Sequence, residues 1–190
     1  GKTNIAEFVS AVERFSPDVL HIHGIGRGVA AEALERVRQL GISIVLTFHT
    51  PTTTCVRGTL LQHGAHPCDG VLDADRCTAC NLTAHGVPSA VAVTIARAAA
   101  LAGTLMRAVG VRGRVSTALR MRELVTLRHD QTRRVLDLAD HIIAPAEWVR
   151  DLLRRLGVPD EKLTLSRQGI RLPEVTYESS EGAGRLRAVY

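Results

Sequence analysis

Hydrophobic positions along the chain switch repeatedly between two periods. Ile5, Phe8, Val9, Val12 and Phe15 recur every three to four residues, which predicts a helix over residues 4–15. Asn4 with Glu7 three places later gives it a capping-box-like start, and Ser16-Pro17-Asp18 breaks it. DVLHIH (18–23) then predicts a strand, and Gly24, Gly26 and Gly28 a turn. Residues 29–40 predict a helix with Val29, Leu34, Val37 and Leu40 inward, ended by Gly41 in the manner of a C-cap. SIVLTF (43–48) is apolar on both faces, as in a buried parallel strand.

The rhythm is interrupted over 50–86, a loop-rich stretch, and two long helical patterns follow at about 88–109 and 115–138. It then resumes: DHIIAP (140–145) as a strand, 146–156 as a helix carrying Trp148, Val149, Leu152, Leu153 and Leu156, and KLTLSR (162–167) as a strand. LRAVY at the C-terminus begins one more. Strands alternating with helices imply βαβ crossovers and a parallel sheet covered on both faces. Ligands of such sheets bind beyond the carboxyl ends of the strands. Those ends carry His21–Gly24, Thr47–Thr50, Ala144–Glu147 and Arg167–Ile170, so histidines, glycines and polar groups gather at one edge.

The length of 190 residues suits one packed domain with an appendage. With 45% hydrophobic and 23% charged residues, disorder is confined to the linker-like EVTYESSEGAG at 174–184. Only 3% of residues are aromatic, which argues against stacking platforms for single-stranded nucleic acid. The net charge of +5 is carried by arginine, since lysine occurs only at Lys2 and Lys162. Arg107, Arg112, Arg114, Arg120, Arg122 and Arg128 fall around the two long helices. They read either as a solvated face or as attraction to an anionic membrane or a phosphorylated lipid-linked acceptor. Residues 87–110 are strongly apolar but interrupted by Arg97 and Arg107, which predicts a buried helix rather than a membrane span. The N-terminus has an amphipathic pattern instead of a signal peptide, so the expected compartment is the cytoplasm, with membrane-peripheral contact where the basic stripe meets lipid. Stable disulfides are uncommon there.

Cys55, Cys68, Cys77 and Cys80 are the only cysteines, spaced C-x12-C-x8-C-x2-C within the insertion. Four thiolates including one Cys-x-x-Cys pair fit a closed structural zinc site, with His63 and His66 as substitute ligands. Disulfides and free thiols are the alternatives. His21 and His23 alternate on a strand and so are expected on opposite faces, which disfavours joint chelation. His21 reads as structural. His23, nearer the carboxyl end, reads as a substrate-side residue, and Gly24, Thr50, Gln168 and Gly169 join it along the candidate binding edge.

The ordered series PDVLHIHG, ISIVLTFHT and DLADHIIAPAEWVRDLLRRLGVPDEKLTLSRQGI resembles the N-terminal domain of family-four glycosyltransferases, which have the GT-B fold. The likeness covers roughly residues 5–172. Related family members carry a similar cysteine-bearing insertion after the histidine strand. The resemblance implies retaining transfer of a sugar from a nucleotide-sugar donor to a glycan or lipid-linked acceptor, without a tightly bound catalytic metal. It makes His49 the catalytic strand-end histidine facing the donor sugar, and gives acceptor binding to this half and the nucleotide to a second domain. Thr50, Ala146 and Gln168 stand where the family often has aspartate, serine and asparagine.

The expected architecture is therefore an α/β, Rossmann-like parallel sheet with flanking helices, the truncated N-terminal half of a GT-B enzyme over 1–172. It carries a Cys-rich insertion at 50–86 and a helical insertion at 87–138. Residues 173–190 are expected to be an interdomain linker and the start of the nucleotide-sugar domain. Such a fragment alone is expected to be inactive, and its unpaired strand edge invites homodimerisation. A different class remains open, a zinc-stabilised basic module contacting nucleic acid or another polyanion. The scarcity of aromatics and the long βαβ framework count against it.

Overall fold

A computed structural model describes residues 5–24, 31–109 and 114–169, with backbone alone for 100–109, 114–116 and 119. Helix α1 (Ile5–Phe15) leads into strand β1 (Val19–Ile22), helix α2 (Ala31–Gln39) and strand β2 (Ser43–Thr47). After a single 3-10 turn at Pro51–Thr53 come the two-residue strands β3 (Leu61–Gln62) and β4 (His66–Pro67). Helices α3 (Ala74–Ala84), α4 (Ser89–Val109) and α5 (Arg114–Leu138) follow, then β5 (His141–Ala144), α6 (Glu147–Arg155) and β6 (Leu163–Leu165).

The main sheet has the order β1-β2-β5-β6 and is parallel throughout. Val19 sits opposite Ser43, Val45 opposite His141 and Ile142 opposite Leu163. This register puts all four carboxyl ends along one edge. β2 is central because both its faces can be covered: Ile44, Leu46 and the following Phe48 are buried, and Thr47 on the alternate face is only 5% exposed. Leu34 and Val37 of α2, Val135 and Leu136 of α5, and Val149, Leu152 and Leu153 of α6 close the core over the sheet. A second cluster packs Ala79 and Leu82 of α3, Ala92 and Ala96 of α4, and Met121 and Val125 of α5. α5 belongs to both cores. Its 25 residues span roughly 37 Å at 1.5 Å per residue, so one straight element ties the insertion to the sheet. Lys162 secures its C-terminal end, Nζ donating to the carbonyls of Asp137 and Ala139.

The α/β class, the parallel sheet and the two long helices agree with expectation. Several details differ. Residues 74–84, expected as loop, form α3, capped by the Asp73 side chain accepting from Arg76 N–H at 2.7 Å. Over the side chains described, 89–99, α4 turns Ala92 and Ala96 to the second cluster, whereas Val91 and Val93 are exposed. Leu40, expected inward, is exposed because α2 ends one residue earlier and the chain turns away. No helix among the described residues is long and apolar enough to cross a membrane. Asn4, Val29, Gly26, Gly28 and the expected linker and last strand at 173–190 lie outside the described residues.

Candidate functional site

β1 and β2 are neighbours in register, so the residues just past their carboxyl ends are side by side. His23 Nδ1 and His49 Nε2 share a hydrogen bond at 3.0 Å. The His21 ring lies 4.1 Å from that of His23, centroid to centroid, and its Nε2 bonds Thr47 Oγ1 at 2.8 Å. The expectation that His21 and His23 point apart fails for a local reason. β1 stops at Ile22 and the backbone bends at His23, so strand alternation no longer governs that residue. Partial burial, with the nearby His23 and His49 rings, holds the His21 pKa below its usual value. His21 is exposed like the other two rings and is bonded to Thr47.

A hydrogen bond between two imidazoles has one proton, so the two rings take opposite roles on it. If His49 accepts at Nε2, its Nδ1 carries hydrogen and donates outward; if it donates, Nδ1 accepts. Either way one His49 nitrogen remains for a ligand, with the ring plane set by His23.

The chain after His49 is anchored from α5. Arg128 donates to the Thr52 carbonyl at 2.7 Å and Thr132 Oγ1 to the Thr53 carbonyl at 2.8 Å. Within the loop, Cys55 N–H reaches the Pro51 carbonyl at 2.7 Å. Thr50 stays exposed and its hydroxyl bonds that of Thr52. Beside this loop an open cavity of about 420 Å³ is lined by Pro51, Thr59, Leu60, Asp69, Trp148 and Arg155, with Cys68 and Leu152 deeper in. Trp148 lines this cavity, is 51% exposed and meets the buried Phe48 with the two rings nearly perpendicular at 6.5 Å.

The four cysteines are free thiols, each half-buried. All four line one cavity of about 30 Å³, together with Arg57 and Arg76. Burial pushes the Cys77 thiol up to about 11. Among the described residues no three His, Cys, Asp or Glu side chains stand in a metal-coordinating arrangement. His63 Nδ1 bonds Thr83 Oγ1 at 3.1 Å, and His66 is exposed on β4.

The structure thus joins His23 to His49 and sets Gly24 and Thr50 beside them in sequence. Gln168 and Gly169 are exposed past β6, on the same edge but two strands from β2, and no hydrogen bond links them to the histidines among the described residues. A side chain at Gly24 or Gly169 would meet nothing within 4 Å, so close backbone approach does not explain either glycine. The basic stripe is partly committed internally: Arg122 pairs with Asp75 at 2.7 Å and Arg128 holds Thr52. Sequence reasoning missed Arg128 and Thr132 as loop anchors and Asp69, Trp148 and Arg155 as cavity wall. These contacts bridge dozens of residues and leave no local pattern. Comparison of the chain with protein-family models, with curated proteins and with solved structures returned no match.

Proposed function

We propose that this chain is the acceptor-side half of a retaining, GT-B-type glycosyltransferase, in which His49 hydrogen-bonds the donor sugar at the carboxyl edge of the sheet. The observation that supports it most is the exposed His23–His49 pair, placed where open parallel sheets take their ligands. On this reading His49 offers Nδ1 to a sugar hydroxyl or a leaving phosphate oxygen. His23 is a positioning residue that fixes the His49 ring and its tautomer. The neighbouring cavity suits a saccharide acceptor: an aromatic ring at Trp148, apolar floor at Pro51 and Leu60, and polar groups at Asp69 and Arg155. The family resemblance implies that a separate domain holds the nucleotide and that no catalytic metal is tightly bound.

The test is His49→Ala in the full-length enzyme with a panel of nucleotide sugars. Removing one hydrogen bond that strengthens in the transition state typically lowers turnover by about 10²–10³-fold. The melting temperature should stay close to that of the parent, since His49 is exposed. Normal turnover in the variant would remove His49 from the chemistry. Tight, steeply salt-dependent binding of a polyanion by a protein without transferase activity would instead favour the basic binding module.

A further inference from the structure

We propose that Cys55, Cys68, Cys77 and Cys80 form a closed tetrathiolate site for one zinc ion, which staples the 50–73 segment to α3 and so sets one wall of the Trp148 cavity. The site stands independently of the transferase reading. Its first support is convergence. The four cysteines come from a loop, the residue after a two-residue strand and two successive turns of α3, yet all line one cavity of about 30 Å³, with their side chains not yet in a coordinating arrangement. Cys77 and Cys80, three apart on a helix, share a face and point the same way.

The second support is the polar surround. The backbone N–H of His63 points at Cys80 Sγ at 3.2 Å, and Arg57 donates to the Cys80 carbonyl at 3.3 Å while lying 3.7 Å from the sulfur. Arg76 lines the same cavity while holding Asp69 with both terminal nitrogens, at 2.9 and 2.6 Å. Four thiolates and a divalent ion carry a net charge of −2. The backbone donor on Cys80 Sγ and the Arg57 guanidinium beside it suit such a charge, while Arg76 is neutralised by Asp69.

The third support is what the segment lacks. Val56, Leu61 and Val71 are exposed, Leu72 is buried at 9%, and Leu60 is a half-buried contact with the main core. Leu60 and His63 are held at left-handed φ values of 51° and 52°. Such backbone persists only where surroundings over-determine it, and small segments with few buried apolar side chains are commonly held by a metal or disulfides. On binding, four thiols become thiolates, four protons go to solvent, and the sulfurs close on a common centre at roughly 2.3 Å. With four sulfurs the coordination sphere is full, so the ion is structural. Cys68 and Asp69 also line the Trp148 cavity, so the staple fixes that wall.

The experiment uses the full chain purified under reducing conditions without metal-affinity resin, with elemental analysis before and after reconstitution with zinc. About one equivalent per chain is expected. Cobalt should replace it with the intense sulfur-to-cobalt charge transfer of a tetrahedral thiolate site. Zinc binding should also shield the thiols from a titrating disulfide reagent. Cys80→Ser should lose most of the metal; if it fails to fold, the wild-type stoichiometry and cobalt spectrum decide alone. Less than a tenth of an equivalent after reconstitution, four thiols equally reactive with and without zinc, or two disulfides by mass spectrometry would each overturn the site. Trp148 is the sole tryptophan, so its emission reports the wall. A change on chelation, reversed by zinc, is expected, and constant emission through metal removal would overturn the link to the cavity.

Discussion

Gly70→Ala tests how the cysteine-bearing segment docks on the sheet domain. Gly70 is buried, has φ +76°, and an added Cβ would lie 2.2 Å from Leu152 Cδ1. Leu152 is 1% exposed and packed in the main core, so its Cδ1 can give way only by shifting toward the cavity it lines. Two costs add. An L-residue in left-handed backbone costs roughly 1–2 kcal/mol, offset by up to about 1 kcal/mol from a less flexible unfolded chain. Overpacking against a core side chain adds about 1–3 kcal/mol. Gly41→Ala isolates the first cost, because Gly41 has φ +78° and nothing within 4 Å of its would-be Cβ. The difference between the variants is therefore the collision alone, about 1–3 kcal/mol, or roughly 2–12 °C in melting temperature for a chain of this size. Circular dichroism melts on both variants, with urea unfolding to give free energies at one temperature, measure it. Equal melting temperatures for the two variants would refute the close packing of the segment on α6.

Thr132→Val keeps shape but leaves the Thr53 carbonyl without its 2.8 Å donor, and both residues are 2% exposed. A loss of about 1–3 kcal/mol is expected by urea unfolding, with Thr132→Ser near the parent; a neutral Thr132→Val would mean water replaces the hydroxyl. pH offers another test. Burial and the neighbouring Arg133 hold the His129 pKa below its ordinary value, against weaker opposition from Asp130 and Asp73, and His21 is lowered too. The unfolded chain thus binds more protons in mildly acidic solution, and stability should rise with pH through that range and fall as pH drops below about 6.5. The slope from either histidine is at most about 1.4 kcal/mol per pH unit. His129→Gln should flatten the melting-temperature profile between pH 5 and about 7, and an unchanged slope would show that His129 protonates freely.

Strands and long helices were legible because their periods are internal to short windows. The apolar run Ile44–Phe48 marks a central strand whatever surrounds it, and α6 shows its inward stripe at Val149, Leu152 and Leu153. α3 was hidden because Cys77, Thr78 and Cys80 weaken its apolar stripe, although Asp73 three residues before Arg76 was a usable start signal. The site was half legible. That His49 ends a buried strand follows from sequence, but its hydrogen bond to His23 depends on which strand is β2's neighbour. The bend that turns His23 toward His49 depends on where β1 stops, and strand ends are among the least certain features of any pattern. Trp148 had no orientation in the sequence pattern: nothing along the helix marks it as the residue left 51% exposed beside the buried Phe48.

The two sides of the candidate binding region are held by forces of different strength. On the histidine side, His21, His23 and His49 ride on strands paired on a central sheet, and the loop to Thr54 is tied to α5 by two backbone-directed bonds. On the insertion side, Leu60 packs on the main core and Gly70 on Leu152, but the polar part of the wall at Asp69 is held by its pair with Arg76, whose side chains are 47% and 29% exposed. Ion pairs with that much solvent are worth at most about 1 kcal/mol. That is less than ordering a single residue's backbone costs. The outer wall therefore needs a further constraint if it is to discriminate between acceptors. The four sulfurs lie where a constraint would act with most leverage, between the hairpin that carries the wall and the helix packed on α5. A cross-link there fixes the cavity's shape without placing any ligand in it, which leaves Trp148 and Arg155 open to a substrate.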